Sequence, residues 1–380
     1  MDFEALIEKR QQAIASQNAG QQDQATQVYR ELLDYEGHDD LFEGEVPDPL
    51  ILGQFFSVVH NNLGAIDLTA GRYKSARAAF RKALDLTPGN VEANTNLGLA
   101  HIYSGNPTGA IDCFERALGA DPGYLTARFS LAKALGMTGQ HEKALESLDE
   151  SIAAYPTMAE FHAERAESLI RLSRLDEARK SAAEAMRLGP QNAEALAVMG
   201  TVHWMTGELE RAAESYNASL ALRADEPGVH TNLAVVLQKL KRFDQAVESY
   251  QRALAIDPTF TDASGNLAYL YSCRDQIARA REAAADGLKA KPGDSFLLFV
   301  LGRCDRLQGH LEAAKAQFLS LEPLLPEGRL LSEVLFELAK TLDAMGEAGE
   351  AAKYLDRATR IGARLPVVVG RGIQAALDDF

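Results

Sequence analysis

Cysteine is scarce in this chain. Only Cys113, Cys273 and Cys304 occur, without a CxxC spacing or a histidine at ligand spacing, which leaves no disulfide framework and no zinc motif to read. Long apolar runs are missing too: no stretch of 18 apolar residues exists, so no spanning helix is expected. The opening residues MDFEALIEKRQQ carry charges where a signal peptide would carry its apolar stretch. Positive charge is the third shortage, 39 Lys and Arg against 54 Asp and Glu for a net charge of -15. That balance opposes phosphate-backbone binding, and no basic stripe with interleaved aromatics stands out. The expectation is a cytoplasmic chain with no nucleic-acid partner and no membrane insertion.

Catalytic signatures are equally absent. There is no GxxxxGK[ST], HExxH or GxSxG, and GRGIQAAL near the end lacks the spacing and strand context of a dinucleotide fingerprint. No catalytic residue, cofactor or metal is expected. Five of the eight histidines fall at equivalent places in a repeat described next, His60, His162 and His230 at one and His101 and His203 at another. They read as packing residues, because ligands from successive repeats would not converge on one ion.

What the chain has is a 34-residue period. Units begin at Ser57, Val91, Leu125, Ala159, Ala193, Pro227, Thr261 and Ser295, with a ninth at Ser332. Position 20 of all nine is alanine, from Ala76 and Ala110 to Ala314 and Ala351, and position 8 is always Gly or Ala. Position 32 is proline except at Ala224 and Ala363. In the copy beginning at Val91, small Gly98 and Ala110 let two helices approach, Leu97 and Phe114 fill the seam, and Gly105 marks the bend. Pro122 ends the second helix, since it has no N–H to donate.

This pattern resembles the tetratricopeptide repeat, a helix-turn-helix unit, over about four-fifths of the chain. The resemblance implies an all-α fold, a right-handed α-solenoid or superhelix whose first helices line a concave groove. The domain reading is a degenerate capping repeat at 1–33, an acidic insertion and lead-in at 34–56, nine repeats over 57–365, and a capping helix at 366–380 in which Ile373, Ala376 and Leu377 form one apolar face. Between Asp34 and Asp48 lie seven acidic residues and no Lys or Arg; this is either a solvated loop or a segment that Leu41, Phe42, Leu50, Ile51, Phe55 and Phe56 anchor to the groove or a partner. The repeats at 159 and 193 are the least typical, with Arg165 in place of the usual Leu and Ala182 in place of an aromatic, so looser packing is expected there.

The resemblance places positions 2, 5, 6, 9, 12 and 13 of each first helix in the groove. Position 6 gives Asn62, Asn96, Asn232 and Asn266, similar to the asparagine ladder of the O-linked GlcNAc transferase repeats. An amide both donates and accepts, so it can hold peptide backbone whatever the side chains are; equally, Asn is common at this position in the repeat consensus. Met137, Val198, Trp204 and Met205, and farther on Phe296, Phe299 and Val300, put apolar side chains at groove positions. These either receive a partner or are covered by neighbouring first helices. Position 9 offers Lys133, Arg303 and Lys340 without the clustering of a carboxylate clamp. The function expected is a non-catalytic scaffold that binds an extended peptide or partner segment. The alternatives are the substrate-recruiting region of a glycosyltransferase or sulfotransferase, and a homo-oligomeric assembly scaffold.

Overall fold

The structure is a computed structural model that describes residues 1–43 and 46–364; the capping helix expected at 366–380 lies outside them. Every regular element described is helical, and the residues cluster into two compact units that meet between Arg174 and Leu175.

The first unit holds α1 (Phe3–Asn18), α2 (Gln22–Leu33), α3 (Pro49–Thr69), α4 (Tyr73–Leu86), α5 (Val91–Tyr103), α6 (Pro107–Ala120), α7 (Leu125–Met137), α8 (His141–Ala154) and α9 (Ala159–Arg171). α3 is longer than the other first helices because Pro49 can open a helix at its first turn, where no N–H is needed, and Asp48 Oδ1 accepts from Leu50 N at 2.8 Å. The acidic segment before it is tied down in places. His60, 3% exposed, meets Glu36 Oε2 at 2.8 Å, and Tyr35 and Phe42 pack edge to face. Phe55 and Phe56 are buried, while Leu41, Leu50 and Ile51 remain exposed.

The second unit holds α10 (Leu175–Leu188), α11 (Ala193–Met205), α12 (Leu209–Leu222), α13 (Pro227–Lys239), α14 (Phe243–Ile256), α15 (Thr261–Cys273), α16 (Ile277–Ala290), α17 (Ser295–Leu307), α18 (Leu311–Leu321), α19 (Arg329–Ala344) and α20 (Ala348–Arg364). A short 3-10 turn, Glu322–Leu324, accommodates the three extra residues before the ninth repeat.

Three rules of the repeat have a physical cause within these units. The bend residue, position 15, is left-handed in every repeat: Gly in six, and Ser173, Lys241 and Asp275 at φ of 57–59° in the others. It closes each first helix with the bond expected of a Schellman end, as when Asn106 N donates to His101 O and Gln276 N to Tyr271 O. Position 8 and position 24 compensate in size. A Cβ on Gly98 would stand 2.5 Å from Phe114, and one on Gly64, Gly200 or Gly302 would strike Phe80, Tyr216 or Phe318. Where position 8 is alanine, position 24 falls to Leu148, Ala182, Ala284 or Leu355, with Tyr250 beside Ala234 the one exception. The repeat at 193 is therefore not loose, since Tyr216 fills the space over Gly200 and its hydroxyl meets Thr201 Oγ1 at 2.9 Å.

Position 4 joins one repeat to the next. Asn94, Arg128 and His162 in the first unit bond the carbonyls of Pro88, Pro122 and Pro156, and His230 in the second bonds that of Ala224, at 2.6–3.1 Å. Proline at position 32 thus stops a helix while its oxygen receives the neighbour's side chain. His101 and His203 are different: burial foremost lowers their pKa, so each stays a neutral packing residue.

Candidate peptide-binding surface

Successive first helices touch within each unit: α3 with α5, α5 with α7 and α7 with α9; then α11 with α13, α13 with α15, α15 with α17 and α17 with α19. The face they share carries the residues singled out from the sequence, and the two units treat those residues differently.

In the first unit position 6 is polar and partly open on α3 and α5, whereas Ser130 on α7 and Glu164 on α9 are buried. Asn62, half-buried, donates from Nδ2 to Tyr29 Oη at 3.2 Å, and that hydroxyl donates to Gln17 Oε1 at 2.9 Å. Asn96 donates from Nδ2 to Asn61 Oδ1 at 3.0 Å. One N–H orients each amide, and its Oδ1 accepts nothing from the described residues. Met137 is 58% exposed, at position 13 of its repeat. Tyr103 occupies the same position one repeat earlier, is 60% exposed and stacks on Tyr73. The sequence reading missed it, although its equivalence to Met137 was there to find.

In the second unit the inner positions are mostly core. Trp204 and Phe299 are 0% exposed, Phe296 1% and Val198 6%, and Val300 is fully buried. These residues do not form an open apolar surface: Tyr269, Phe296 and Phe299 lie within 5.9–6.2 Å of one another, and Phe299 reaches Phe318 at 6.1 Å. The physical reason is Gly265 on α15, where a Cβ would come within 2.7 Å of Phe296. Without that Cβ, α17 moves in and its phenylalanines fill the seam. Asn266 is also 0% exposed, and both its amide atoms lack a partner among the described residues, as do Gln238 Nε2 and Trp204 Nε1. Asn232 and Met205 are half-buried and still reach the surface.

At the far end of this unit basic residues gather on one buried carboxylate of the chain itself. Glu337, 1% exposed, accepts from Arg303 Nη1 and Arg306 Nε at 2.5 Å each, with Lys340 Nζ at 3.4 Å. Arg303 turns inward, its Nε on Ser272 Oγ at 3.2 Å and its guanidinium over the Tyr269 ring. Lys340 covers the Phe336 ring at 4.1 Å. Burial, then the Glu337 charge, raises the pKa of Glu333 one turn away. The cluster escapes notice when one repeat position is read at a time, because it joins positions 9 and 12 of one repeat to positions 6 and 9 of the next.

The cysteines are unpaired. Cys113 and Cys304 are buried and Cys273 half-buried. Burial is the main cause of a raised thiol pKa in all three, to about 11 at Cys304. No helix among the described residues is long and apolar enough to cross a membrane.

Comparison with known proteins agrees with this geometry. The tetratricopeptide repeat family matches residues 61–124, 95–159, 163–228, 227–260 and 249–282. No curated protein matches the sequence. Among solved structures, the chain is similar to a human IFIT1 dimer with m7Gppp-AAAA, with a TM-score of 0.59, 18% identity, and 92% of this chain and 89% of that chain covered. It is also similar to the APC/C hetero-tetramer Cut9-Hcn1, with a TM-score of 0.56, 14% identity and 79% of this chain covered; there it spans 55% of the other chain's length. At such identities the likeness concerns the fold. The helical hairpins, their left-handed bends and the family matches together make this chain a tetratricopeptide repeat protein with an all-α solenoid fold.

Proposed function

We propose that this protein is a non-catalytic, cytoplasmic scaffold that holds an extended segment of a partner protein on its first-helix face, with Asn62 and Asn96 as the principal polar rungs. The observation that carries the proposal is their geometry. Each amide spends one N–H on a neighbour, Tyr29 or Asn61, and so presents its remaining N–H and its oxygen in a fixed orientation, the pair that a peptide unit requires. Asn232 offers a further amide in the second unit, while exposed Tyr103 and Met137 can cover apolar side chains of the guest. The non-catalytic part is supported by burial of the cysteines, which raises their thiol pKa values and leaves them protonated and poorly nucleophilic.

The test is calorimetry with a panel of peptides selected for binding to the protein. Asn62→Ala with Asn96→Ala should weaken every peptide to a similar degree, by about 1 kcal/mol or more per amide. Tyr103→Ala should change the ranking among them. Unchanged binding of every peptide to the asparagine double variant would refute the proposal.

A further inference from the structure

Position 4 carries a side chain of at least asparagine's size in every repeat but the one at 261, where it is Ser264. In four of the others that side chain, on Asn94, Arg128, His162 or His230, bonds the position-32 carbonyl of the repeat before. Ser264 makes no such link. Its hydroxyl donates to Phe260 O at 3.4 Å, and Pro258 O accepts no hydrogen bond among the described residues. The gap opens into a cleft of about 960 Å3 bounded by α14, α15 and α16, with Leu254, Leu267 and Tyr271 as apolar lining and Pro258, Ser264 and Ala290 beside them. The equivalent cleft one repeat earlier is smaller, about 710 Å3, because His230 stands in place of Ser264 and Ile256 in place of Ala290.

The chain itself shows which side chain such a place takes. Asp-Pro stands at positions 31 and 32 of two repeats, as Asp121-Pro122 and Asp257-Pro258. Both form the same turn: Asp121 Oδ1 accepts from Gly123 N at 2.9 Å, and Asp257 Oδ1 from Thr259 N at 2.8 Å. At the first, Arg128 Nε donates to Pro122 O at 2.6 Å. At the second, the carbonyl is open. We propose that this cleft binds an arginine of a partner protein, its guanidinium donating to Pro258 O beside the Asp257 carboxylate and its methylenes lying along Leu254 and Leu267. A guanidinium carries five donors and no acceptor, so it can meet a carbonyl and a carboxylate together, and its stem suits an apolar wall. Lys289, on the same stretch of α16, is held by Asp286 at 2.7 Å and leaves the Asp257 charge uncancelled. A net charge of -15 draws basic segments toward the chain in general.

This site shares no residue with the first-helix surface proposed above, so the two readings stand or fall separately. The probe is a random decapeptide library displayed on phage and selected on the full-length wild-type protein. Selected peptides are then sorted by loss of binding to Ser264→Arg, which recreates the Arg128 arrangement inside the chain, and to Ala290→Trp, which fills the cleft from an exposed position. Circular dichroism verifies that both variants remain helical, and Ala290→Trp decides alone if Ser264→Arg does not fold. Peptides lost to these variants should contain arginine, and replacing that arginine by norleucine should weaken binding about tenfold or more by calorimetry. Asn62→Ala with Asn96→Ala should leave the same peptides unaffected. The proposal is overturned if no selected peptide responds to the cleft variants, if those that respond lack arginine, or if they are lost to the asparagine double variant. Light scattering should give a single-chain mass; a doubled mass that disappears in Ala290→Trp would assign the cleft to a second copy and overturn the partner form.

Discussion

At position 6, α3 and α5 carry Asn62 and Asn96, half-buried and each steered by one hydrogen bond, whereas α15 carries Asn266 with no exposure and no partner among the described residues, and α17 carries a buried Val300. The same repeat position is a surface on α3 and α5 and a seam on α15 and α17. The difference is spacing. Gly265 lets α17 close onto α15, so the inner positions there bury one another, whereas Asn62 on α3 and Asn96 on α5 stay partly open. A groove position in a repeat is thus defined by the distance between neighbouring first helices as much as by its number.

The largest effect that would break this comparison is at Phe299. If it is core, Phe299→Ala should lower stability by about 3–5 kcal/mol, measured by urea unfolding; if it were a client contact, stability would hold and binding alone would fall. Next is Glu337→Gln, which leaves two part-buried guanidiniums without their carboxylate. Breaking a fully buried pair costs about 3–5 kcal/mol, and the partial exposure of Arg303 and Arg306 reduces this to about 2–3 kcal/mol. No change in the urea midpoint would show that the cluster contributes nothing to the fold.

Acid should separate the units further. Arg77 in the first unit reaches across repeats to a neutral group, Ser104 Oγ, whereas Arg179 in the second reaches Thr206 and Glu208. Hydrogen bonds from Arg179, Arg211 and Thr206 hold the Glu208 carboxyl down at about 2. A lowered folded pKa stabilises above the ordinary value of 4.5, and the contribution is lost as pH falls from there toward about 2. Glu208→Gln should flatten the fall of melting temperature over that interval, and an identical acid limb in the variant would count against a stabilising role for the Arg179–Glu208 contact.

Smaller effects sharpen the contrast. Asn266→Leu removes a buried amide with no partner among the described residues, so it should be neutral or stabilising by about 1 kcal/mol, whereas Asn96→Leu should weaken peptide binding. A clear loss of stability in Asn266→Leu would mean that the amide is satisfied inside the seam. Lys241→Gly relieves a left-handed bend that costs a side-chain-bearing residue about 1 kcal/mol. Part of that is returned as unfolded-state entropy, so the unfolding free energy measured by urea should rise by about a few tenths of a kcal/mol, and a fall would contradict it.

The repeat architecture was legible because each defining position answers to one local constraint. Ala110 must be small, Gly105 must be left-handed, and Pro122 must end a helix. Inner-face exposure was not legible, since Trp204 and Phe299 satisfy the same pattern as Met137 and differ only in how close the next first helix comes. Gly265 was the available signal, a glycine on the inner face at position 5, and it acts through Phe296 thirty-one residues later. The basic cluster was missed for a related reason: Arg303 and Lys340 share position 9, but Arg306 and Glu337, which draw them together, sit at positions 12 and 6.

Trp204 gives the most direct test of this contrast between an open and a closed inner face, because it is the chain's single tryptophan. It is 0% exposed, and its Nε1 has no hydrogen-bond partner among the described residues. Its fluorescence in the native protein should be blue-shifted and resistant to iodide, and should stay so when a groove peptide is added. Red-shifted emission quenched by iodide as readily as free tryptophan, with protection appearing only on addition of peptide, would contradict the account and restore Trp204 to the binding surface.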